Sequence, residues 1–245
     1  MKTTGNKILI TGGSSGIGLA LAKKFLEAGN QVITADRNPE KQAAALAAVP
    51  GLQGILCDLS KQEDIDRLVL QIEQQHPDLN VLINNAGVQF NYDLSDEANP
   101  VGRIAREVQV NLTALMTLSA LLLPVLHRQS EAAIVNVSSA LAFVPKQNAA
   151  VYCATKAGVH SFSKTLRYQL EGSPIRVFEL IPTLVDTAMT EGRGSGKMSP
   201  EELADGFFRA FQRDQEEFNA GKVGILRFLH RLVPSVAEGM MRGKE

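Results

Sequence analysis

Only two cysteines, Cys57 and Cys153, occur in 245 residues. A disulfide framework is therefore not indicated, and reduced thiols fit a cytosolic setting. Charge of one sign is also missing. The formal net charge is −1 and the sequence pI about 6.5, which gives no electrostatic case for a nucleic-acid partner. Long hydrophobic runs are lacking: the stretch from Ala114 to Leu126 is short for a bilayer and carries Thr, Ser and Pro. No integral membrane association is expected. The first residues, Met-Lys-Thr-Thr-Gly, show no apolar signal core and no small-residue cleavage site. A cytoplasmic location is expected. Neither a solenoid-type repeat nor a low-complexity tract interrupts the chain, and no shift in composition marks a second domain.

What is present is an alternation of two periodicities. Lys7 to Thr11 is a short apolar run ending in glycines and reads as a strand buried on both faces. Further strands are expected over 31–35, 52–57, 80–84, 132–137 and 175–180. Helices are expected over 17–28, 39–48, 60–75, 101–126 and 151–170. Ser60 and Glu63 have the spacing of a capping box. Strands alternating with helices through short connections predict a Rossmann-like α/β fold. The expected architecture is a doubly wound parallel sheet of about seven strands with helices on both faces, in a single domain over 1–245. A glycine-rich stretch, Glu191 to Met198, opens a segment over about 190–212 that reads as a substrate lid. Within it, Ser199 and Pro200 begin a helix.

The first strand joins the first helix through Gly12-Gly13-Ser14-Ser15-Gly16-Ile17-Gly18. Glycines let a backbone turn tightly and let a phosphate come close. A helix N-terminus then offers free N–H groups and the positive end of its dipole. The spacing is G-x-x-x-G-x-G, which differs from the general dinucleotide fingerprint. Asp36 ends the second strand about 20 residues further on, where a ribose-binding acid is expected. Its carboxylate would repel a 2′-phosphate, whereas the neighbouring Arg37 would attract one. NAD is favoured on this ground, with NADP as the alternative.

Several further motifs, in order, resemble those of the short-chain dehydrogenase/reductase family. Asn84-Asn85-Ala86-Gly87 resembles its N-N-A-G, and Tyr152-Cys153-Ala154-Thr155-Lys156 its Y-x-x-x-K. Ser139 stands thirteen residues before Tyr152, which favours it over Ser138. Asp58 with Leu59, Asn111 and the stretch Pro182 to Met189 also resemble family positions. The combination with His160-Ser161-Phe162-Ser163 is similar to a bacterial subgroup labelled by association with D-alanine transfer operons. That label specifies no substrate.

The resemblance implies a hydride exchanged between a nicotinamide cofactor and a small alcohol or carbonyl substrate. Tyr152 would be the general acid/base. Lys156 would lower its pKa and bind the nicotinamide ribose. Ser139 would orient the substrate oxygen, and Asn111 would hold a water linking Lys156 to solvent. Gly12, Ser14, Ser15, Gly16, Ile17, Gly18, Asp36, Arg37, Asp58, Leu59, Asn85, Ala86, Gly87, Pro182, Val185 and Thr187 would contact the cofactor. Taken singly, these residues have plainer readings: a lone buried Tyr is usually a core residue with its hydroxyl satisfied. A redox-sensing or scaffold protein with little turnover is the alternative function, although it would need no Ser–Tyr pair. No metal ligands are expected. A homodimer or homotetramer through the long helices is implied by resemblance.

Two positions depart from the family pattern. Thr183 stands where the family has glycine, and Phe143 where it often has glycine. The apolar and basic segment over about 224–242 fits a flap over substrate, an interfacial helix, or packing on the protein itself.

Overall fold

The computed structural model describes residues 1–96 and 98–241, with Met240 described in its backbone only. Seven strands form one parallel sheet among the described residues: β1 (Lys7–Thr11), β2 (Gln31–Asp36), β3 (Leu52–Leu56), β4 (Val81–Asn84), β5 (Ala132–Val137), β6 (Ile175–Ile181) and β7 (Glu217–Asn219). Their order is β3-β2-β1-β4-β5-β6-β7. Side chains alternate across a strand, so β1 feeds two cores. Ile8 and Ile10 join one cluster, and Leu9 joins the other.

The first core is covered by α1 (Gly16–Glu27) and α2 (Pro39–Ala48), the second by α3 (Gln62–Gln75). The run after β4 divides into α4 (Pro100–Val108), a π-helical turn at Gln109–Thr113, and α5 (Ala114–His127). α6 (Ala150–Gln169) completes the second layer, and α7 (Pro200–Gln212) packs beside α1 in the first. α8 (Val223–Leu232) and α9 (Pro234–Met241) follow β7.

Strand order reverses between β1 and β4. In a doubly wound sheet the connections leaving such strands run to opposite faces and open a crevice beyond their carboxyl ends. That crevice positions the candidate site.

Local signals account for many boundaries. α1 stops where Gly29 takes a φ of 81°, a left-handed conformation that glycine adopts without a steric penalty. Asn38 accepts the Lys41 N–H at 2.7 Å and caps α2 just before Pro39. α7 begins with a reciprocal capping box between Ser199 and Glu202.

Three expectations change. Ser60 does not cap α3; the N-cap is Lys61, without a side-chain bond. The Ser60 hydroxyl and N–H are drawn instead to Asp58 Oδ1, at 2.8 and 3.0 Å, a charged acceptor two residues back. The helix expected over 101–126 is broken in register by the π turn. The lid expected over 190–212 is reduced, because α7 is a core helix: Leu203, Ala204, Phe207, Ala210 and Phe211 are buried. Phe25 of α1 meets Phe211 edge-on, with ring centres 5.5 Å apart. The C-terminal segment, whose form the sequence left open, is two helices, divided at Val233 before Pro234. Proline disfavours helical backbone at the residue preceding it. Arg242 lies outside the described residues.

The helical run Pro100–His127 is long and apolar enough to cross a membrane, with a mean hydropathy of 1.7 over its most apolar window. In the fold, Ala114, Leu118, Leu122, Val125 and Leu126 are buried in the second core.

Candidate active site

A groove of 540 Å³ follows the crevice beyond the strand ends. Its lining includes Gly12, Ser15, Gly16, Ile17, Asp36, Arg37, Asp58 and Leu59 toward one end, and Tyr152, Lys156, Pro182 and Thr187 toward the other. Asn85, Ala86 and Gly87 line it as well. These residues come from elements far apart in the chain, brought together by the parallel sheet.

The glycine turn is tight. Gly12 and Gly16 have φ values of 66° and 51°, which L side chains rarely adopt. A Cβ at Gly18 would collide with the Gly12 carbonyl oxygen and lie 2.6 Å from Asn85 Nδ2. Ser14 donates its N–H to Asp36 Oδ2 at 2.8 Å, which ties the turn to the end of β2. Ser15, the N-cap of α1, makes no side-chain cap, so the helix N-terminus is left without that internal acceptor. Thr187 closes over the turn from the other side: a Cβ at Gly16 would lie 3.1 Å from its Cγ2.

Asn85 anchors the turn to β4. Its Nδ2 donates to the carbonyls of Thr11 and Gly12, both at 3.0 Å, and Thr11 Oγ1 accepts the N–H groups of Asn85 and Ala86. Gly18 likewise serves close packing rather than lining. Val185 is buried and bridges to Met198, outside the groove lining.

Charge is arranged along this end. Burial pushes the Asp36 carboxyl above its usual range, and hydrogen bonding from Ser14 pulls the other way. At Asp58 burial acts in the same upward sense, but hydrogen bonds from Ser60 and the charges of Arg37 and Lys61 outweigh it and hold the carboxyl low. Arg37 is exposed at the groove edge.

At the other end Tyr152, Lys156 and Ser139 converge. Tyr152 and Lys156 lie one turn apart on α6, so their side chains share a face. Lys156 Nζ lies 5.7 Å from the Tyr152 ring centre and donates to Val137 O at 2.8 Å. Burial lowers the Lys156 ammonium to about 8, opposed by the charge of Glu179. Burial pushes the Tyr152 phenol up to about 12, against a hydrogen bond with Ser139. Ser139 Oγ also accepts the Leu141 N–H at 3.1 Å. Ser138 is the serine that lines the groove, although its hydroxyl donates to Glu179 Oε1 at 2.5 Å; Ser139 stands behind the lining, against Tyr152.

Asn111 lies in the π turn and is wholly buried. Its Oδ1 accepts the Val88 N–H and its Nδ2 donates to Val88 O, each at 2.8 Å. The amide is thus spent on protein partners. The Ala114 N–H reaches back to Gln109 O, the longer hydrogen bond of a π turn.

Thr183 has no left-handed φ, since Asp214 is the only non-glycine with positive φ among the described residues. The threonine is accommodated without backbone strain. Phe143 stacks edge-on against His160, with ring centres 4.7 Å apart, and lies 4.2 Å beneath the Arg227 guanidinium of α8. Leu226 packs with Ala140, Ile181 and Val223. One face of α8 therefore rests on the segment that carries Ser139. Ile225, Phe228 and Leu232 are exposed.

Sequence reasoning missed several residues. Val88, Gln89, Phe90, Val110 and Met189 also line the groove. Glu107 Oε2 and Arg193 Nη1 are buried atoms without hydrogen-bond partners among the described residues, and both charges act on Tyr152. Glu107 sits four residues before Asn111, a spacing that puts both on one helix face. Arg193 carried no comparable signal, because only the fold brings the stretch 190–199 near Tyr152.

Cys57 also lines the groove, and burial pushes its thiol up to about 12. Burial raises the Cys153 thiol too, and its Sγ accepts the Lys146 N–H at 3.3 Å.

Known proteins resemble this chain over most of its length. Residues 6–197 match the short chain dehydrogenase family. The chain is 40% identical over 233 residues to an uncharacterized oxidoreductase of Bacillus subtilis strain 168, DltE, covering 93% of this chain and 92% of that protein. That similarity is consistent with the resemblance to the D-alanine-operon subgroup. Among solved structures, a short chain dehydrogenase from Burkholderia cenocepacia J2315 in complex with NADP has a TM-score of 0.87, with 22% identity and 100% of both chains covered. A short-chain dehydrogenase from Sphingobium yanoikuyae in complex with NADPH has a TM-score of 0.82 and 26% identity, covering 96% of this chain and 95% of that one. The shared fold and the family match over most of the sequence place this chain in the short chain dehydrogenase family, whose members are oxidoreductases that work with a nicotinamide dinucleotide.

Proposed function

We propose that the protein transfers a hydride between a nicotinamide dinucleotide and the carbinol or carbonyl carbon of a small substrate, with Tyr152 moving the proton. The observation that carries this reading is one continuous groove. It has the glycine turn and Asp36 at one end and Tyr152 with Lys156 at the other. The cradle fits a dinucleotide: a Cβ at Gly18 has no room beside Gly12 O, and the N-terminus of α1 has no side-chain cap. When bound, the nicotinamide ring supplies or accepts the hydride.

The remaining work falls to this chain. Gly12, Ser14, Ser15, Gly16, Ile17 and Gly18 form the phosphate turn. Asp36 accepts from the adenosine ribose, and Asp58 and Leu59 flank the adenine. Asn85, Ala86 and Gly87 hold the middle of the groove. Pro182, Val185 and Thr187 support the carboxamide end. Lys156 binds the nicotinamide ribose, and its charge favours the Tyr152 phenolate. Ser139 orients the substrate oxygen, so that little motion is needed at the transition state. Asn111 fixes the segment after β4 through Val88. Its main-chain carbonyl, in the π turn, holds the water that joins Lys156 to solvent.

NAD is the preferred cofactor. The Asp36 carboxylate stands at the ribose position, and the charge of Arg37 is drawn toward Asp58. The substrate is a small alcohol or carbonyl compound. The lid is the short stretch 190–199. The protein is cytoplasmic and assembles as a homodimer or homotetramer through α4, α5 and α6, which expose Val101, Leu121 and Tyr168.

Fluorescence titration with NADH and NADPH side by side tests the reading. NADH should bind at least about tenfold more tightly, roughly 1.4 kcal/mol. Replacing Asp36 with asparagine should narrow that gap. Tighter NADPH binding would reverse the assignment of cofactor, and no binding of either would refute the site.

A further inference from the structure

Hydride transfer as described above leaves the buried carboxylate of Glu179 without a role. Glu179 lies in β6 and is wholly buried. A carboxylate removed from water is costly unless it is paired and hydrogen-bonded. Both oxygens of Glu179 are taken. Oε1 accepts from Ser138 Oγ at 2.5 Å, and Oε2 lies 2.8 Å from His160 Nδ1.

These partners lead back to the catalytic end. In the sheet, Asn136 pairs with Glu179 and Val137 with Leu180. Val137 O is the acceptor that holds Lys156 Nζ. Glu179 therefore sits one strand across from that carbonyl and one residue back along it. On α6, Tyr152, Lys156 and His160 follow at intervals of four residues, so they form one row along the helix. The carboxylate lies against the far end of this row.

We propose that Glu179, clamped by Ser138 and His160, is the buried counter-charge of Lys156 and thereby a positioning residue for the Tyr152–Lys156 pair. This inference rests on the hydride-transfer reading for its purpose, though not for its test. A buried lysine without an opposite charge tends to lose its proton. An uncharged Lys156 would no longer favour the Tyr152 phenolate. Glu179 keeps the ammonium in place without entering the groove, where it would repel an approaching substrate oxygen.

Other charged groups surround the row. Tyr152 and His160 flank Lys156 on α6. Glu217 of β7 reaches the His160 side, but Arg227 of α8 holds it at 2.8 Å. Glu107 of α4 acts on Tyr152. His160, Glu179 and Glu217 lie within 4.8 Å of one another, a spacing that a metal ion also tolerates. The Arg227 ion pair and the direct His160–Glu179 bond account for the cluster without one.

The test is a direct titration of Lys156 in the full chain. Protein carrying 13C-labelled lysine is followed by NMR across pH, and the Lys156 signal is assigned with Lys156→Arg. The wild-type midpoint should lie near 8. In Glu179→Gln it should fall by a full pH unit or more, a tenfold weaker hold on the proton; Glu179→Asp, which keeps the charge, should restore it. A folded Glu179→Gln protein with the wild-type midpoint would overturn the proposal. Should that variant not fold, the wild type decides: a midpoint near 8 supports the counter-charge, and one below about 6, the range of buried lysines without a partner, excludes it. No cofactor or substrate enters this titration. Its failure leaves hydride transfer standing, and failure of hydride transfer leaves the titration interpretable.

Discussion

Tyr152→Phe is expected to lower turnover by about 10²–10⁴-fold, the usual contribution of one positioned acid/base group. The substitution removes a hydroxyl and keeps the ring. Tyr152 is 9% exposed and packs with Ala149, Cys153 and Leu141, so the ring's contacts survive. NADH binding should therefore persist, because the loss falls on the transition state and not on the ground state. The measurement is initial rate by NADH absorbance with any alcohol or carbonyl probe that wild type turns over, alongside an NADH titration. A variant with wild-type turnover would remove Tyr152 from the chemistry.

The sign of the pH dependence follows from the same group. Burial holds the phenol at about 12 in the protein alone, and Lys156, at about 8, supplies the nearby positive charge that favours its ionised form. Alcohol oxidation consumes the deprotonated tyrosine, so its rate should climb with pH. Carbonyl reduction consumes the protonated form, so its rate should hold across neutral pH and decline at the alkaline end. Parallel profiles in the two directions would contradict a single residue moving the proton.

Gly18→Val should have the largest effect on binding. Its first side-chain carbon would strike the Gly12 carbonyl oxygen, which is backbone and cannot swing away. The turn must open, and Asn85 Nδ2 must give up its bonds to Thr11 and Gly12. Overpacking of this kind costs about 1–3 kcal/mol in stability, or roughly 2–4 °C of Tm per kcal/mol for a domain of this size. Affinity for NADH should fall more than about tenfold, because phosphate recognition depends on the placement of that backbone. Gly102→Ala is the control. Nothing lies within 4 Å of its added carbon, and the residue is inside α4, where alanine favours helix. That variant should bind NADH normally and melt slightly higher. Equal behaviour of the two variants would show that the turn tolerates a side chain.

Much of this was legible from periodicity and punctuation. Strands β1 to β6 lie within about a residue of where their apolar runs suggested, because strands buried on both faces need continuous apolar sequence. Motif residues at strand ends were legible for a related reason, since the carboxyl ends of a parallel sheet collect them. β7 was not located. It has three residues, Glu-Phe-Asn, all half-buried, and such a strand has no period to detect. The π turn was hidden too, because it shifts the apolar phase once, in the middle of a long helical run, and a window wide enough to detect a helical period averages over that shift. α7 was taken for part of a lid because its partner, α1, lies almost the whole chain away. Glu179 and Glu107 were invisible for a deeper reason. Sequence reading assigns carboxylates to water, and only tertiary packing reveals which ones are withheld from it.

The two thiols show what such withholding does to reactivity. Thiol reagents attack through the thiolate, and burial makes that form scarce at both Cys57 and Cys153. Neither sulfur is held in a disulfide; each is kept quiet by the cost of carrying charge in its surroundings. Their modification at neutral pH is thus expected to be slow, and faster whenever the chain opens around them. Cys57 lies in the floor of the dinucleotide groove and Cys153 beneath the substrate end. Labelling rates at the two positions become separate clocks on how often each half of the site breathes.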